Sequence, residues 1–350
     1  MNSQKWVASR KLRAGDRVAV LSPAVAAPAM SEAVHEQAMK RLTETTGLIP
    51  VEYPTTRELG ASAQARAVDI VNAFADPAIG AILATIGGND QVTVISHLDA
   101  EVIAANPKPF VGYSDNTNLH NFLWSLGINS YYGGSTQVHL GSGPYVDEVH
   151  LSSLRAALID GGTIGLTEPG ESEDFGIEWT DPRALTHFGV REETEPWRWA
   201  GPQTVVEART WGGCLDVIDQ IAIAGRMPTI SDLEGSIVLF ETSEELNSAA
   251  QVKGWVRALG ERGILAAAAG VLVARPPVSA LGQPVPETAE RARLRQDQYE
   301  TIIEQVNAYN PDAVICAGIP FGHTRPQWII PHGGVVCLDA ITRTVTANYS

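Results

Sequence analysis

Two rhythms of apolar and polar positions alternate along the first part of the chain. The short apolar runs from Arg17 to Leu21, Ile49 to Tyr53 and Ala81 to Ile86 read as strands. The third lacks any polar alternation, as a strand covered on both faces requires. Between them, the segments Ser31 to Gly47 and Ala61 to Ala75 repeat small and branched apolar residues at helical spacing. Gly47 closes the first of these helices and Asp76-Pro77 stops the second. Gly87-Gly88-Asn89-Asp90 follows the third strand and leads into a helix reaching Leu98. A further strand, Phe110-Val111-Gly112-Tyr113, ends at Ser114, and a helix begins at once with Asn116-Thr117-Asn118-Leu119, closed by Trp124, Leu126 and Gly127. This order predicts an α/β fold whose N-terminal part is a doubly wound parallel sheet, with its site at the strand C-termini.

The rhythm breaks after about residue 160. Glu168 to Gln203 is rich in Glu, Asp, Pro and Trp without a clear period. An irregular segment of that length inside a compact protein is a lid, a binding loop or disordered. From Thr204 strands return, at Val205 to Ala208, Ser236 to Phe240, Gly270 to Ala274, Ala313 to Ala317 and Val335 to Leu338. Helical stretches intervene at Cys214 to Ala224, Ala249 to Arg262 and Glu287 to Asn307. The division expected is an N-terminal domain over residues 1–165, a linker and Trp-rich loop over 166–203, and a smaller C-terminal α/β domain over 204–350.

Composition narrows the partners. A chain of 350 residues with 44% hydrophobic and 19% charged residues has the make-up of an ordinary globular protein. Its formal charge of −15 disfavours nucleic-acid backbones and anionic membranes, which are bound through Lys/Arg clusters. Cys214, Cys316 and Cys337 show no paired spacing, which fits reduced thiols rather than a disulfide framework. Lys5, Arg10, Lys11 and Arg13 precede no apolar leader core, so a cytoplasmic location is expected. No His pair has ligand spacing, so no metal is expected. Gly87-Gly88 has neither the Gly-x-Gly-x-x-Gly spacing nor a following Lys-Ser/Thr. A dinucleotide or P-loop cofactor site is therefore not expected.

The sharpest candidate chemistry lies at Ser114. A serine on a tight strand-to-helix turn projects its hydroxyl clear of the sheet, beside the first free N–H groups of the helix. The plainer reading is a helix cap, a position that favours Ser and Asp. A nucleophilic serine needs a base and an acid to orient that base. The strand Ser236 to Phe240 delivers Glu241 at its end, with Glu244 and Glu245 beyond it as solvated acids. The strand Ala313 to Ala317 leads into Gly318-Ile319-Pro320-Phe321-Gly322-His323-Thr324, a stiff loop in which the His323 ring can be aimed. His332 is its main rival, while His120 and His187 are weaker candidates. An α/β-hydrolase shares the Ser–acid–His order but would show Gly-x-Ser-x-Gly, and Asn116 stands at the last glycine.

Five short motifs occur in order between residues 17 and 338: Thr85-Ile86-Gly87-Gly88, Gly112-Tyr113-Ser114-Asp115, Trp211-Gly212-Gly213, Leu239-Phe240-Glu241-Thr242, and Gly322-His323-Thr324 with Pro331. In this the chain resembles the LD-carboxypeptidase family of serine peptidases, and within it the MccF-like microcin-immunity branch. The resemblance implies a flavodoxin-like N-terminal domain, a homodimer and a Ser-Glu-His triad. Ser114 would be the nucleophile, His323 the base and Glu241 its orienter, with Gly88 and Asp115 giving oxyanion-hole N–H groups.

One branch of the family trims murein tetrapeptides; the other cleaves an amide joining an aminoacyl or peptidyl group to a nucleotide. The loop here carries Trp179 and Pro196-Trp197-Arg198-Trp199, and it looks like the loop that sets an aromatic against the base in the MccF-like branch. Stacking on an indole contributes about 1–3 kcal/mol per base. Trp179, Trp197, Trp199 and Arg198 are thus the candidate substrate contacts, unless the indoles only pack the loop. Arg183, Arg191 and Arg325 are further candidates for a carboxylate or phosphate. Cys214 stands where many relatives carry Asn, which puts substrate contacts there in doubt. The expected function is amide hydrolysis by acyl transfer on an aminoacyl- or peptidyl-nucleotide. Murein tetrapeptide cleavage is the alternative, and non-catalytic ligand binding on the same fold is a second.

Overall fold

Five parallel strands build the first sheet: β1 (Arg17–Leu21), β2 (Ile49–Glu52), β3 (Ile79–Ala84), β4 (Phe110–Gly112) and β5 (Ser130–Tyr132). The computed structural model describes residues 6–7 and 10–350, and Lys5 lies outside them. The spatial order is 2-1-3-4-5, the flavodoxin-like arrangement. Successive residues of a strand point to opposite faces, so each strand feeds two cores. Val18, Val20 and Leu83 pack with Ala38, Met39 and Leu42 of the helix Glu32–Thr46 on one face. Ala19, Leu21 and Ile82 pack with Ile70 and Phe74 of the helix Ala63–Ala75 on the other. The Ser62 hydroxyl caps that second helix by accepting the Ala65 N–H at 3.1 Å. Gly47 ends the first in the left-handed region at φ 72°.

The second sheet has eight strands, of which four consecutive ones are parallel: Val205–Cys214, Ile237–Glu241, Gly270–Ala274 and Val314–Ile319. Val205–Cys214 runs well past the expected end at Ala208, and its last residues reach the first sheet. The reason is a close approach that sequence periodicity does not register. A Cβ on Gly212 would meet the Leu239 carbonyl oxygen at 2.2 Å, and one on Gly213 the Thr117 hydroxyl at 2.7 Å. Both glycines also sit at positive φ, so the pair is required sterically and conformationally.

Sheet membership does not follow the chain order. Ile330–His332 pairs antiparallel with β5 and closes the first sheet, whereas Thr163–Gly165 lies at the edge of the second. The segment 166–203 also has more structure than its sequence announces. Glu171–Ser172 pairs with Glu192–Glu193, and Arg198–Ala200 is an edge strand on Val314–Ile319. Among the described residues, no helix is long and apolar enough to cross a membrane.

Candidate active site

Ser114 has φ 64°, a left-handed conformation for a non-glycine residue. This is the strain of a tight elbow: β4 stops, a 3₁₀ turn over Ser114–Asn116 follows, and the helix Thr117–Ser125 starts directly. The turn is held on two sides. The Thr117 hydroxyl donates to the Ser114 carbonyl at 2.7 Å, and the Ser114 N–H donates to the Tyr132 hydroxyl at 3.2 Å.

From the hydroxyl of Ser114 a continuous polar chain runs into the second sheet. Ser114 Oγ lies 3.0 Å from His323 Nε2, and His323 Nδ1 lies 2.6 Å from Glu241 Oε2. The other carboxylate oxygen of Glu241 accepts the Tyr132 hydroxyl at 2.6 Å. Glu241 sits at the end of its strand and His323 in the loop after Val314–Ile319, so both come from strand C-termini. Gly322 is needed for this contact, because a Cβ there would stand 2.7 Å from Glu241 Oε2. The Gln327 amide fixes the loop by donating to the Gly322 carbonyl at 2.6 Å.

Electrostatics follow from burial and pairing. Burial opposes charge on the His323 ring, but the carboxylates of Glu241 and Glu244 outweigh it and raise its pKa well above 6.5. Glu244 Oε2 stands 2.9 Å from the same Nε2 that faces Ser114. The imidazole charge in turn holds the Glu244 carboxyl down. Asp115 is fully buried, and burial pushes its carboxyl up to about 6 although Gln91 N–H donates to it at 2.9 Å. That contact ties the elbow to the segment following Gly87-Gly88.

Not every candidate converges here. His332 is buried beside the Gly212 backbone at 3.2 Å, and burial holds its pKa well below 6.5. His120 bridges Ser130 and the Gly112 carbonyl, each at 2.7 Å, and is pushed down to about 4 by burial. His187 contacts Thr186 in an exposed loop. Gly88 lines the cleft, but a Cβ there would point away from Ser114, meeting Ala24 at 2.7 Å and Val25 at 3.1 Å. Gly87 is the residue that faces the nucleophile, with an added Cβ 2.8 Å from Ser114 Cβ and 3.1 Å from the Asp115 nitrogen.

Above Ser114 opens a cleft of about 400 Å³ lined by Val25, Ile86, Tyr113, Phe175, Ile177 and Trp179, with Asp174, Glu244 and Arg325 as charged members beside His323. Trp197, Arg198 and Trp199 lie elsewhere. Trp199 is paired with Cys316 at the sheet edge, and Arg198 reaches the Tyr299 ring and Glu300. Arg198 and Trp199 occupy a strand rather than a loop, Trp197 directly precedes it, and the two indoles pack partly buried against the core. Of the other arginines, exposed Arg183 pairs with half-buried Asp181, Arg191 with Asp147, and Arg325 with buried Glu173 at 3.0 Å.

Trp179 is held in place by contacts that its sequence context gives no sign of. Asp174, five residues before it, is clamped by Arg275 at 2.8 Å and Arg295 at 2.9 Å and accepts the Val278 and Ser279 N–H groups. The Ser31 hydroxyl donates to the Trp179 carbonyl at 2.9 Å, tying the loop to the first domain. Tyr132 is a further site residue without a sequence signal, since its partner Glu241 is 109 positions away.

Cys214, Glu241 and His323 bring potential ligand atoms within 4.8 Å of one another. Here they are engaged otherwise: the Cys214 thiol donates to Asp216 at 2.6 Å, and burial and Glu241 keep its pKa well above 9.0. A protonated thiol is a poor metal ligand.

The two-sheet fold with a strained serine elbow facing a carboxylate-bound imidazole defines a hydrolase of the serine type. Residues 18–133 match the LD-carboxypeptidase N-terminal domain and residues 207–338 the LD-carboxypeptidase C-terminal domain. The chain belongs to the LD-carboxypeptidase family and is a peptidase. It is 24% identical over 274 residues to the microcin C7 self-immunity protein MccF of Escherichia coli, covering 77% of this chain and 74% of MccF. The structure of MccF in complex with aspartyl sulfamoyl adenosine superposes with a TM-score of 0.83 at 21% identity, covering 98% of each chain. An MccF-like protein from Streptococcus pneumoniae, solved in complex with AMP, gives 0.78 at 23% identity, covering 96% of this chain and 99% of that one. These structural likenesses are of fold.

Proposed function

We propose that the protein hydrolyses an amide joining an aminoacyl or peptidyl group to a nucleotide, through a Ser114–His323–Glu241 triad. The observation that carries the catalytic part is the unbroken chain Ser114 Oγ, His323, Glu241, Tyr132, with contacts of 3.0, 2.6 and 2.6 Å. His323 Nε2 takes the Ser114 proton as Oγ attacks the scissile carbonyl. Glu241 steadies the imidazolium, and its second oxygen is occupied by Tyr132, so the carboxylate is oriented from both ends. The Asp115 and Gly88 N–H groups hold the oxyanion, a contribution of about 3–4 kcal/mol per donor in serine hydrolases. His323 then gives its proton to the leaving nitrogen, and water resolves the acyl-enzyme by the same route.

The base must be neutral to accept a proton. Because the His323 pKa lies above 6.5 in the free enzyme, kcat/KM should fall as pH drops through that raised value. A pH profile whose acid limb is centred above 6.5 is the expected result; a flat profile from 5 to 8 overturns the assignment of the base.

Trp179 supports the nucleotide part, because it is the tryptophan that lines the cleft and its carbonyl is anchored to Ser31. A flat, apolar wall suits a nucleobase better than a murein peptide. Trp179→Ala should raise KM for an aminoacyl-sulfamoyl adenosine about ten-fold or more and leave kcat nearly unchanged. The deciding experiment is side-by-side hydrolysis of that substrate and a murein tetrapeptide. Faster turnover of the tetrapeptide makes the protein an LD-carboxypeptidase in the strict sense.

A further inference from the structure

We propose that Glu244 selects substrates carrying a free α-ammonium beside the scissile carbonyl, and that binding this group draws Glu244 away from His323 and frees the base. The proposal rests on the hydrolase reading above.

His323 Nε2 has two partners, Ser114 Oγ at 3.0 Å and Glu244 Oε2 at 2.9 Å. With Nδ1–H donated to Glu241, a neutral ring would turn a bare Nε2 lone pair towards the Glu244 carboxylate. Two electron-rich atoms do not rest 2.9 Å apart, so the arrangement belongs to the imidazolium, whose Nε2–H is shared between the two oxygens. An imidazolium has no lone pair with which to take the Ser114 proton. The arrangement is therefore a resting state, and Glu244 must leave before catalysis. It is free to do so, since its side chain is 63% exposed whereas that of His323 is 6% exposed.

The remaining groups around the ring do not substitute for this switch. Glu241 is fixed by Tyr132; Tyr113 presents its ring edge-on at 4.9 Å; the Cys214 thiol is protonated. His139, behind Tyr113, is kept neutral by burial, and Arg325 is engaged by Glu173.

The cleft charges name the ligand. Asp174 is neutralised by Arg275 and Arg295, and Arg325 by Glu173. Glu244 is the cleft carboxylate whose ion partner, among the described residues, is the base itself. A cation is what would draw it off. The α-nitrogen of an aminoacyl group stands two bonds from the carbon that Ser114 attacks, and so beside Nε2 and Glu244. Once Glu244 pairs with that ammonium, the Nε2 proton passes to water, the Ser114 hydroxyl donates to the vacated lone pair, and attack follows. An N-acylated substrate, a peptidyl-nucleotide included, has no charge there and leaves the clasp closed, so the inference narrows the reading above to aminoacyl-nucleotides.

The test uses aspartyl-sulfamoyl adenosine and its Nα-acetyl derivative, bound to the full-length Ser114→Ala protein at pH 6 by calorimetry in buffers of differing ionisation enthalpy. The free amine should bind about five-fold more tightly, the scale of a partly exposed ion pair. It should also release up to one proton per site, and the acetylated ligand none. Adding Glu244→Gln should erase both differences. In parallel, fluorophosphonate labelling of Ser114 should reach its midpoint about one pH unit lower in Glu244→Gln than in the unsubstituted protein, a ten-fold gain in rate on the acid limb. Equal binding of the two ligands without proton release, while Ser114 still labels, overturns the role of Glu244 and leaves the hydrolase reading standing. Absence of Ser114 labelling overturns both.

Discussion

Replacing Ser114 with alanine should lower turnover by about 10⁴-fold or more while the protein stays folded, as removal of a triad nucleophile does. The hydroxyl is the only group lost, and the fold does not depend on it: the hydrogen bonds that hold the elbow come from the Ser114 carbonyl and N–H. The change even keeps a Cβ at the strained φ of 64°, so the local conformational cost is the same in both proteins. His323→Ala should produce a loss of similar size, and the double variant little more, because residues acting as a unit are not additive. Circular dichroism and thermal unfolding serve as controls. Turnover of Ser114→Ala within ten-fold of the starting protein would sink the nucleophile assignment.

Substitution of Gly87 by alanine should cost about 10³-fold in kcat with little change in stability. Its Cβ would lie 2.8 Å from Ser114 Cβ, 3.0 Å from Oγ and 3.1 Å from the Asp115 nitrogen, so the clash falls on the nucleophile and the oxyanion space together. Misplacing a reacting atom by about 1 Å costs on the order of 10²-fold, and losing an oxyanion donor about 10²–10³-fold. Gly88 makes the comparison, since its Cβ would press on Ala24 and Val25 instead. That substitution acts by shifting a neighbouring segment, including the Val25 N–H contact to the Gly87 carbonyl at 3.2 Å. We expect Gly88→Ala to lose less activity than Gly87→Ala. The reverse order, measured as kcat on one substrate, would place the crowded side of the cleft wrongly.

The contrast between these two glycines shows where reading from sequence stops. The pair Gly87-Gly88 marks a strand end needing room, and that much follows from composition and position. Which glycine faces the nucleophile depends on the register in which β3 and β4 pair, and adjacent residues of an extended chain point to opposite sides. The tryptophans divide for a similar reason. Trp179, Trp197 and Trp199 share a polar, aperiodic segment, so nothing local separates them. Pairing of Arg198–Ala200 with Val314–Ile319 takes two of them to a sheet edge, and the clamp on Asp174 brings the third over the cleft.

The sequence by itself determined the local elements and their order. Apolar periodicity placed β1 to β4 and the parallel strands of the second sheet, and helical spacing and caps placed the longer helices. The alternation of the two implied a doubly wound parallel sheet, although the helix expected up to Leu98 is two 3₁₀ turns. It also marked Ser114 and Glu241 at the ends of legible strands and His323 in the short stiff loop after another. These are short-range properties, written into neighbouring residues. What only the tertiary structure decided is every contact between distant parts of the chain. The Tyr132 hydroxyl on Glu241, Glu244 beside His323, and Ile330–His332 completing the first sheet join residues 109, 79 and about 200 positions apart. Such contacts form where the two sheets pack together, and no local pattern encodes them.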